Sequence, residues 1–197
     1  MSRFLRDCNL LSGSVLYIRH SDNRYKKICQ VGEGYGGRVV KAVDKQDADL
    51  VALKIIDLKG ANYSRAVQEV RNHAKLCHQN VIKLRQVYLR SDRYVYLVLD
   101  YAELGDLQKF LLEKRGGRLP ENMAKYFFRQ IIFGIQYMHN EGIVSRDIKL
   151  TNILVQTNKD TDEQLPTIKL CDFGFSCDCS YSVTKCVLLY CCTSAVD

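Results

Sequence analysis

In "GIVSRDIKLTNILV", residues 142–155, an acid, an amine and an amide (Asp147, Lys149, Asn152) fall within six positions between two apolar runs. A buried core has no use for such a trio. A carboxylate can accept a hydroxyl proton, an amide oxygen can ligate a hard cation, and an ammonium can balance phosphate charge. Downstream, Asp172-Phe173-Gly174 ends a short apolar strand and offers a second oxygen donor for a cation. Upstream, "VGEGYGGRVVKA" fits G-x-G-x-x-G-x-V through Gly32, Gly34, Gly37 and Val39. Glycines in such a turn let backbone amides approach phosphate oxygens without a Cβ in the way, although the same pattern serves a plain hairpin. Its strand–turn–strand setting argues against a dinucleotide-binding fingerprint, which needs a helix after the turn.

"VALKII" sets Lys54 inside an apolar strand, a costly placement unless the amine meets an anion or reaches water from an edge. Strand alternation puts Ala52 and Lys54 on one face. Glu69 lies on an apolar-flanked helix and can pair with Lys54, while a solvated helix-face acid is the simpler reading of it alone.

The elements that must position these groups are legible from periodicity and turn residues. Residues 24–32, 37–45 and 49–57 read as strands, 62–77 as a helix, and 82–89 and 94–101 as two more strands. A short helix over 104–115 stops at Gly116-Gly117. Pro120 suits the first turn of a helix over 120–141. There, Ala124, Phe127, Phe128, Ile131, Ile132, Ile135 and Met138 keep the spacing of a wide buried stripe. Short strands at 153–155 and 167–171 flank an exposed loop. The pattern predicts an α+β chain: a small β-rich lobe with one helix, a linker near 100–105, then a helical lobe.

Composition is that of an ordinary globular protein, 47% hydrophobic and 26% charged. The net charge of +7 is scattered, with no dense basic block for nucleic acid, and suits an anionic small ligand. No apolar run approaches a membrane span. The first twenty residues lack an unbroken apolar leader, which leaves a reducing, cytoplasmic or nuclear setting; Arg3, Arg6 and Arg19 admit a mitochondrial-type presequence only weakly. Most of the nine cysteines are then expected to be buried thiols. Five of them crowd residues 177–192, without a His or a Cys-x-x-Cys to suggest zinc.

Taken in order, the glycine turn, "VALK", a helix Glu, "HQNVIKL", "YLVLDYAELGDL", "SRDIKLTN" and "DFG" resemble a eukaryotic protein kinase over residues 25–176. "DIKLTN" resembles the serine/threonine class. "QEVRNHAKLCHQNVIKL", "AKYFFRQIIFGIQYMH" and "IKLCDFGFS" are similar to the calcium/calmodulin-kinase-like branch, and within it to the plant and algal sucrose-non-fermenting-related kinases.

The resemblance implies a two-lobed fold: an N-terminal extension (1–24), an ATP-binding N-lobe (25–102), a partial C-lobe (103–176) and an atypical Cys-rich tail (177–197). It implies ATP and Mg²⁺ as cofactors and protein Ser/Thr hydroxyls as substrates. Val31, Gly32, Glu33, Gly34 and Gly37 would form the phosphate-binding turn. Lys54 would hold the α- and β-phosphates and pair with Glu69. Val39, Ala52 and Leu154 would sandwich the adenine, beside Leu99, with backbone hydrogen bonds from Asp100 and Ala102, and Asp106 would reach the ribose. Asp147 would deprotonate the substrate hydroxyl, Lys149 would contact the transferring phosphoryl group, and Asn152 and Asp172 would hold Mg²⁺. Arg146 would meet an activation-loop phosphate, for which Ser180, Ser182 and Thr184 are candidates.

The pattern departs from the family twice. Ser145 stands where the family usually has His, which predicts weaker support for Phe173. After "DFGFS" no Ala-Pro-Glu follows, so the resemblance implies a C-terminally truncated domain whose helical stripe lacks part of its packing surface, open to a partner or chaperone. Two functions are therefore expected in parallel: a serine/threonine kinase, inactive if the truncation is disabling, or a non-catalytic nucleotide- or partner-binding fragment.

Overall fold

A computed structural model describes residues 3–8, 16–17, 23–34, 36–158, 165–174 and 176–178. The chain divides into two units: residues up to Cys77 with Ile82–Tyr101, and His78–Val81 with the residues from Ala102 on.

The first unit is built on a sheet of β1 (Leu16–Tyr17), β2 (Tyr25–Gly34), β3 (Gly37–Asp44), β4 (Leu50–Asp57), β5 (Leu84–Arg90) and β6 (Tyr94–Asp100), in the order β1-β5-β6-β4-β3-β2. β2–β6 pair antiparallel, and β1 adds to β5 in parallel. The β5–β6 turn carries Ser91 and Asp92 at φ 55° and 48°, and Arg93 N donates to Arg90 O at 3.3 Å. Two successive left-handed residues match the hairpin turn that follows strand twist. Alternation along β4 divides the core. Val51, Leu53 and Ile55 pack with Tyr25, Tyr88 and Tyr96 on one face. Ile56 joins Leu84, Val87, Leu89, Val95 and Leu97 on the other, beneath Ala66 and Val70 of α2 (Asn62–His73).

α2 ends four residues before the expected 77, because its last turn tightens: Lys75 N donates to Asn72 O and Leu76 N to His73 O. A second helix, α1 (Arg3–Cys8), also belongs to this unit. The expected lobe had only one. Six residues make too short a periodic signal to be read as a helix.

The second unit holds α3 (Leu107–Arg115), α4 (Glu121–Asn140), β7 (Ile143–Val144), a 3-10 turn (Leu150–Asn152), β8 (Ile153–Gln156), β9 (Thr167–Leu170) and β10 (Cys177–Asp178). α3 is capped by Asp106, whose Oδ1 accepts from Lys109 N at 2.8 Å, and closes at left-handed Gly116, the stop the sequence predicts. Pro120 takes the N-cap of α4, one place earlier than expected, since its ψ of 146° is extended.

α4 packs one face on β9. A Cβ on Gly134 would sit 2.8 Å from Leu170 Cδ1, so the glycine sets how closely helix and strand approach. The expected wide buried stripe is only half buried. Phe127 and Met138 are enclosed, whereas Ala124 is exposed and Phe128 and Ile132 are 64% and 43% exposed, with Phe133 beside them. The apolar pattern is wider than the contact that the described residues supply.

Among the described residues the cysteine expectation does not hold. Of the five described thiols only Cys8 is buried; Cys29 and Cys77 are exposed, and Cys171 and Cys177 are half-buried. Strand-edge and post-helix positions, not core positions, carry them. Cys179, Cys186, Cys191 and Cys192, like Ser180, Ser182 and Thr184, lie outside the described residues. Among the described residues no helix is long and apolar enough to cross a membrane.

Candidate functional site

In the first unit, strand register gathers the apolar candidates and the lysine on one sheet face. Val39 pairs across from Lys54, Leu99 from Ala52, and Gly32 from Val39. Directly opposed residues on neighbouring strands point the same way. Lys54 is therefore no edge lysine: β4 lies between β3 and β6, and the residue is 7% exposed. Its Nζ meets Glu69 Oε1 at 2.5 Å, and Glu69 is 3% exposed. The acid that reads as a solvated helix residue is thus a buried partner, because α2 turns that face to the sheet. Such a pair leaves neither charge isolated in an apolar setting.

The turn between β2 and β3 is shaped by Gly37, at φ 108°, where a Cβ would run into the Ile55 carbonyl. Gly32 and Gly34 differ. A Cβ on either would meet no atom within 4 Å, so packing does not dictate them. They fit a backbone that another molecule's oxygens approach closely. Glu33 accepts from Gln30 Nε2 at 2.8 Å, and Val31 is exposed. Asp100, at the end of β6, accepts from Arg85 Nε at 2.5 Å.

In the second unit, one carboxylate oxygen organises the loop. Asp147 Oδ2 accepts from Lys149 Nζ at 2.8 Å and from Asn152 Nδ2 at 2.9 Å, and Asn152 Nδ2 also reaches Asp147 O at 2.9 Å. Asp147, followed by Asp172, raises the Lys149 pKa, so the amine stays charged at neutral pH. With its amide nitrogen turned to Asp147, Asn152 has Oδ1 as the atom that could ligate a cation. Asn152 O accepts from Cys171 N at 3.0 Å, which sets Asp172 next to Asn152 across the β8–β9 ladder. Asp172 has φ 63°, a left-handed conformation that a non-glycine residue keeps only where its surroundings enforce it. Its Oδ1 accepts from Gly174 N at 3.3 Å. A carboxylate and a carboxamide are hard oxygen donors. Two of them fit magnesium shared with phosphate oxygens, not an all-protein cage. Among the described residues no group of three or more His, Cys, Asp or Glu gathers.

Ser145 Oγ accepts from Asp147 N at 3.5 Å. Phe173, expected to lose support there, is only 1% exposed. Ser176 supplies the hold: its N and Oγ donate to Phe173 O at 3.0 and 2.6 Å, and the chain then pairs Cys177 with Val144. Leu154 forms a bridge with Asp106, and Ala102 O accepts from Gly105 N at 3.3 Å. Asp106 is a helix cap through Oδ1, a use its proposed ribose role does not require.

Sequence reasoning missed two positioning residues. Asn80 Nδ2 donates to Gln130 Oε1 at 2.9 Å and to Ile168 O at 3.1 Å, and Asn80 O accepts from Leu170 N at 2.8 Å. Gln130 Oε1 also accepts from Ile168 N at 3.0 Å. Together they fix β9, the strand that delivers Asp172. The only signal was a polar Gln on the inner side of α4.

An antiparallel sheet with an embedded Lys–Glu pair, together with a helical unit presenting an Asp-Lys-Asn loop beside Asp-Phe-Gly, defines the protein kinase class. The protein kinase domain family matches residues 25–195, and the chain belongs to that family. It is 34% identical over 165 residues to the rice serine/threonine-protein kinase SAPK9, covering 83% of this chain and 43% of that protein. To the Arabidopsis thaliana serine/threonine-protein kinase SRK2E it is 33% identical over 82% of this chain and 42% of the relative. To the serine/threonine-protein kinase SRK2A of the moss Physcomitrium patens it is 34% identical over 80% of this chain and 43% of the relative. These plant kinases agree with the serine/threonine class read from "DIKLTN". The chain spans less than half the length of the relatives it matches.

Proposed function

We propose that the chain transfers the γ-phosphoryl group of ATP to Ser or Thr hydroxyls of proteins. The single observation that carries this reading is the Asp147–Lys149–Asn152 cluster, with its carboxylate held through one oxygen by an amine and an amide. Oδ1 of Asp147 is then the oxygen that orients the substrate hydroxyl and takes its proton as the new O–P bond forms and the bond to the ADP oxygen breaks. Lys149, charged at neutral pH, would contact the transferred group and offset its negative charge. Lys54, held by Glu69, would contact the α- and β-phosphates, and the amides of the Gly32–Gly37 turn would approach phosphate oxygens. In the first unit Val39, Ala52 and Leu99 would face the adenine and Asp100 would offer it a backbone group; in the second, Leu154 and the Ala102 backbone would do the same and Asp106 would reach the ribose. Asn152 and Asp172 would hold magnesium, which when bound would neutralise phosphate charge. Protein substrates and a cytoplasmic or nuclear setting belong to the same proposal.

Autophosphorylation of the purified chain, set against an Asp172→Ala variant, tests it. Phosphate incorporation lost in the variant supports the reading, and equal incorporation in both removes it. A second reading is favoured by the exposed Phe128, Ile132 and Phe133 on α4: a fragment that binds nucleotide and a partner without transfer. MgATP binding without incorporation in either protein would select it.

A further inference from the structure

The N-terminal segment carries no family motif, yet it contributes some of the most enclosed side chains of the first unit. Phe4, Leu5 and Cys8 are 3%, 1% and 2% exposed and belong to the same core as Ala66 and Val70 of α2. Burial pushes the Cys8 thiol up to about 12, which makes it a packing group and not a reactive one. Polar contacts add direction to this packing. Tyr63, in the first turn of α2, donates its hydroxyl to Asp7 at 2.7 Å, and its ring meets Phe4 edge-on with centroids 5.7 Å apart. Arg3 pairs with Asp7 at 3.6 Å and lies over the Tyr63 ring. A second anchor follows, where Leu16 and Tyr17 of β1 pair with Gln86 and Val87 of β5.

α2 carries Glu69, and the ion pair to Lys54 requires that helix to sit at one depth and rotation over the sheet. α1 grips α2 at its first turn through Tyr63 and through the Ala66 and Val70 face, which brackets Glu69 along the helix. We infer that α1 is a brace: Phe4, Leu5 and Asp7 are positioning residues that keep Glu69 in register with Lys54. This rests on the proposed role of Lys54 as phosphate anchor, and predicts that the segment before the kinase motifs sets nucleotide affinity without touching nucleotide.

The test uses the full chain without nucleotide and reads the acetylation rate of Lys54 by acetic anhydride, by peptide mass. Lys41, half-buried on β3, serves as the reference. In the wild type, burial and the Glu69 bond keep Lys54 slow. Phe4→Ala with Leu5→Ala should speed Lys54 by roughly tenfold or more. Asp7→Asn, a mild change that spares the core, should speed it by roughly two- to tenfold. Lys41 should stay unchanged, and in a Glu69→Gln background neither brace variant should add further acceleration. An unchanged Lys54 rate in Asp7→Asn, or a rise shared equally by Lys41, overturns the brace, since general loss of stability would do the latter. MgATP titration of the wild type is a separate arm. Failure to bind sinks the nucleotide reading, while the labelling ratio still decides the brace.

Discussion

Two charge clusters carry the proposed chemistry, and they are built on opposite plans. Lys54 and Glu69 are 15 residues apart, come from a strand and a helix, and are almost fully enclosed. Asp147, Lys149 and Asn152 lie within six residues, and Lys149 and Asp147 keep 54% and 28% of their side chains exposed. The first cluster is a product of tertiary packing and in turn depends on it. The second is a product of local spacing, held by hydrogen bonds within one loop. Buried charges stake stability on their partner; exposed ones contribute little to folding and are free to serve chemistry.

The contrast breaks if the loop turns out to be structural. Asp147→Asn should lower phosphate transfer by roughly 10²–10⁴-fold, with thermal melting nearly unchanged. The converse holds for the buried pair. Glu69→Ala strands a charge and should cost roughly 3–5 kcal/mol in urea unfolding. Lys54→Met combined with Glu69→Leu should recover much of that stability and none of the transfer.

A third measurement uses acid. Asp44 is 2% exposed and accepts three bonds from Arg24, at 2.9, 2.9 and 2.6 Å. The Arg24 side chain above all, helped by the Gln46 amide, holds the Asp44 carboxyl below the usual carboxylate range. A depressed folded-state pKa contributes stability that is complete above about pH 4 and fades as pH falls through the folded value. Asp44→Asn should therefore destabilise by roughly 1–3 kcal/mol at pH 7, and its gap to wild type should narrow in denaturation at pH 3. The smallest effect is expected from Ser145→His. With Phe173 already buried and held by Ser176, stability should move by only about 0.5 kcal/mol, and turnover should follow it.

The same contrast explains what could be read from the residues alone. The Asp147 loop, the Asp172 turn and the glycine turn are contiguous, so their spacing survives in the sequence. The strands and α4 were legible because period-2 and period-3.6 patterns are local. Glu69 was ambiguous, since its burial depends on which way α2 faces. α1 went unseen because a six-residue helix has no period to detect. Part of the stripe on α4 is exposed, as the expected loss of packing surface implies; periodicity reports how wide an apolar face is and not how much of it is covered. Asn80 and Gln130 escaped because two amides separated by 50 residues leave no pattern.

Asn80 also bears on how the molecule can be divided. Its tetrapeptide, His78–Val81, is grouped with the second unit although chain from the first unit precedes and follows it. The polypeptide therefore crosses between units three times, and no single cut releases the helical unit whole. A fragment starting at Ala102 would leave Leu170 N and Ile168 O without the Asn80 groups that satisfy them. The strand bearing Asp172 would lose its anchor before any catalytic residue was touched.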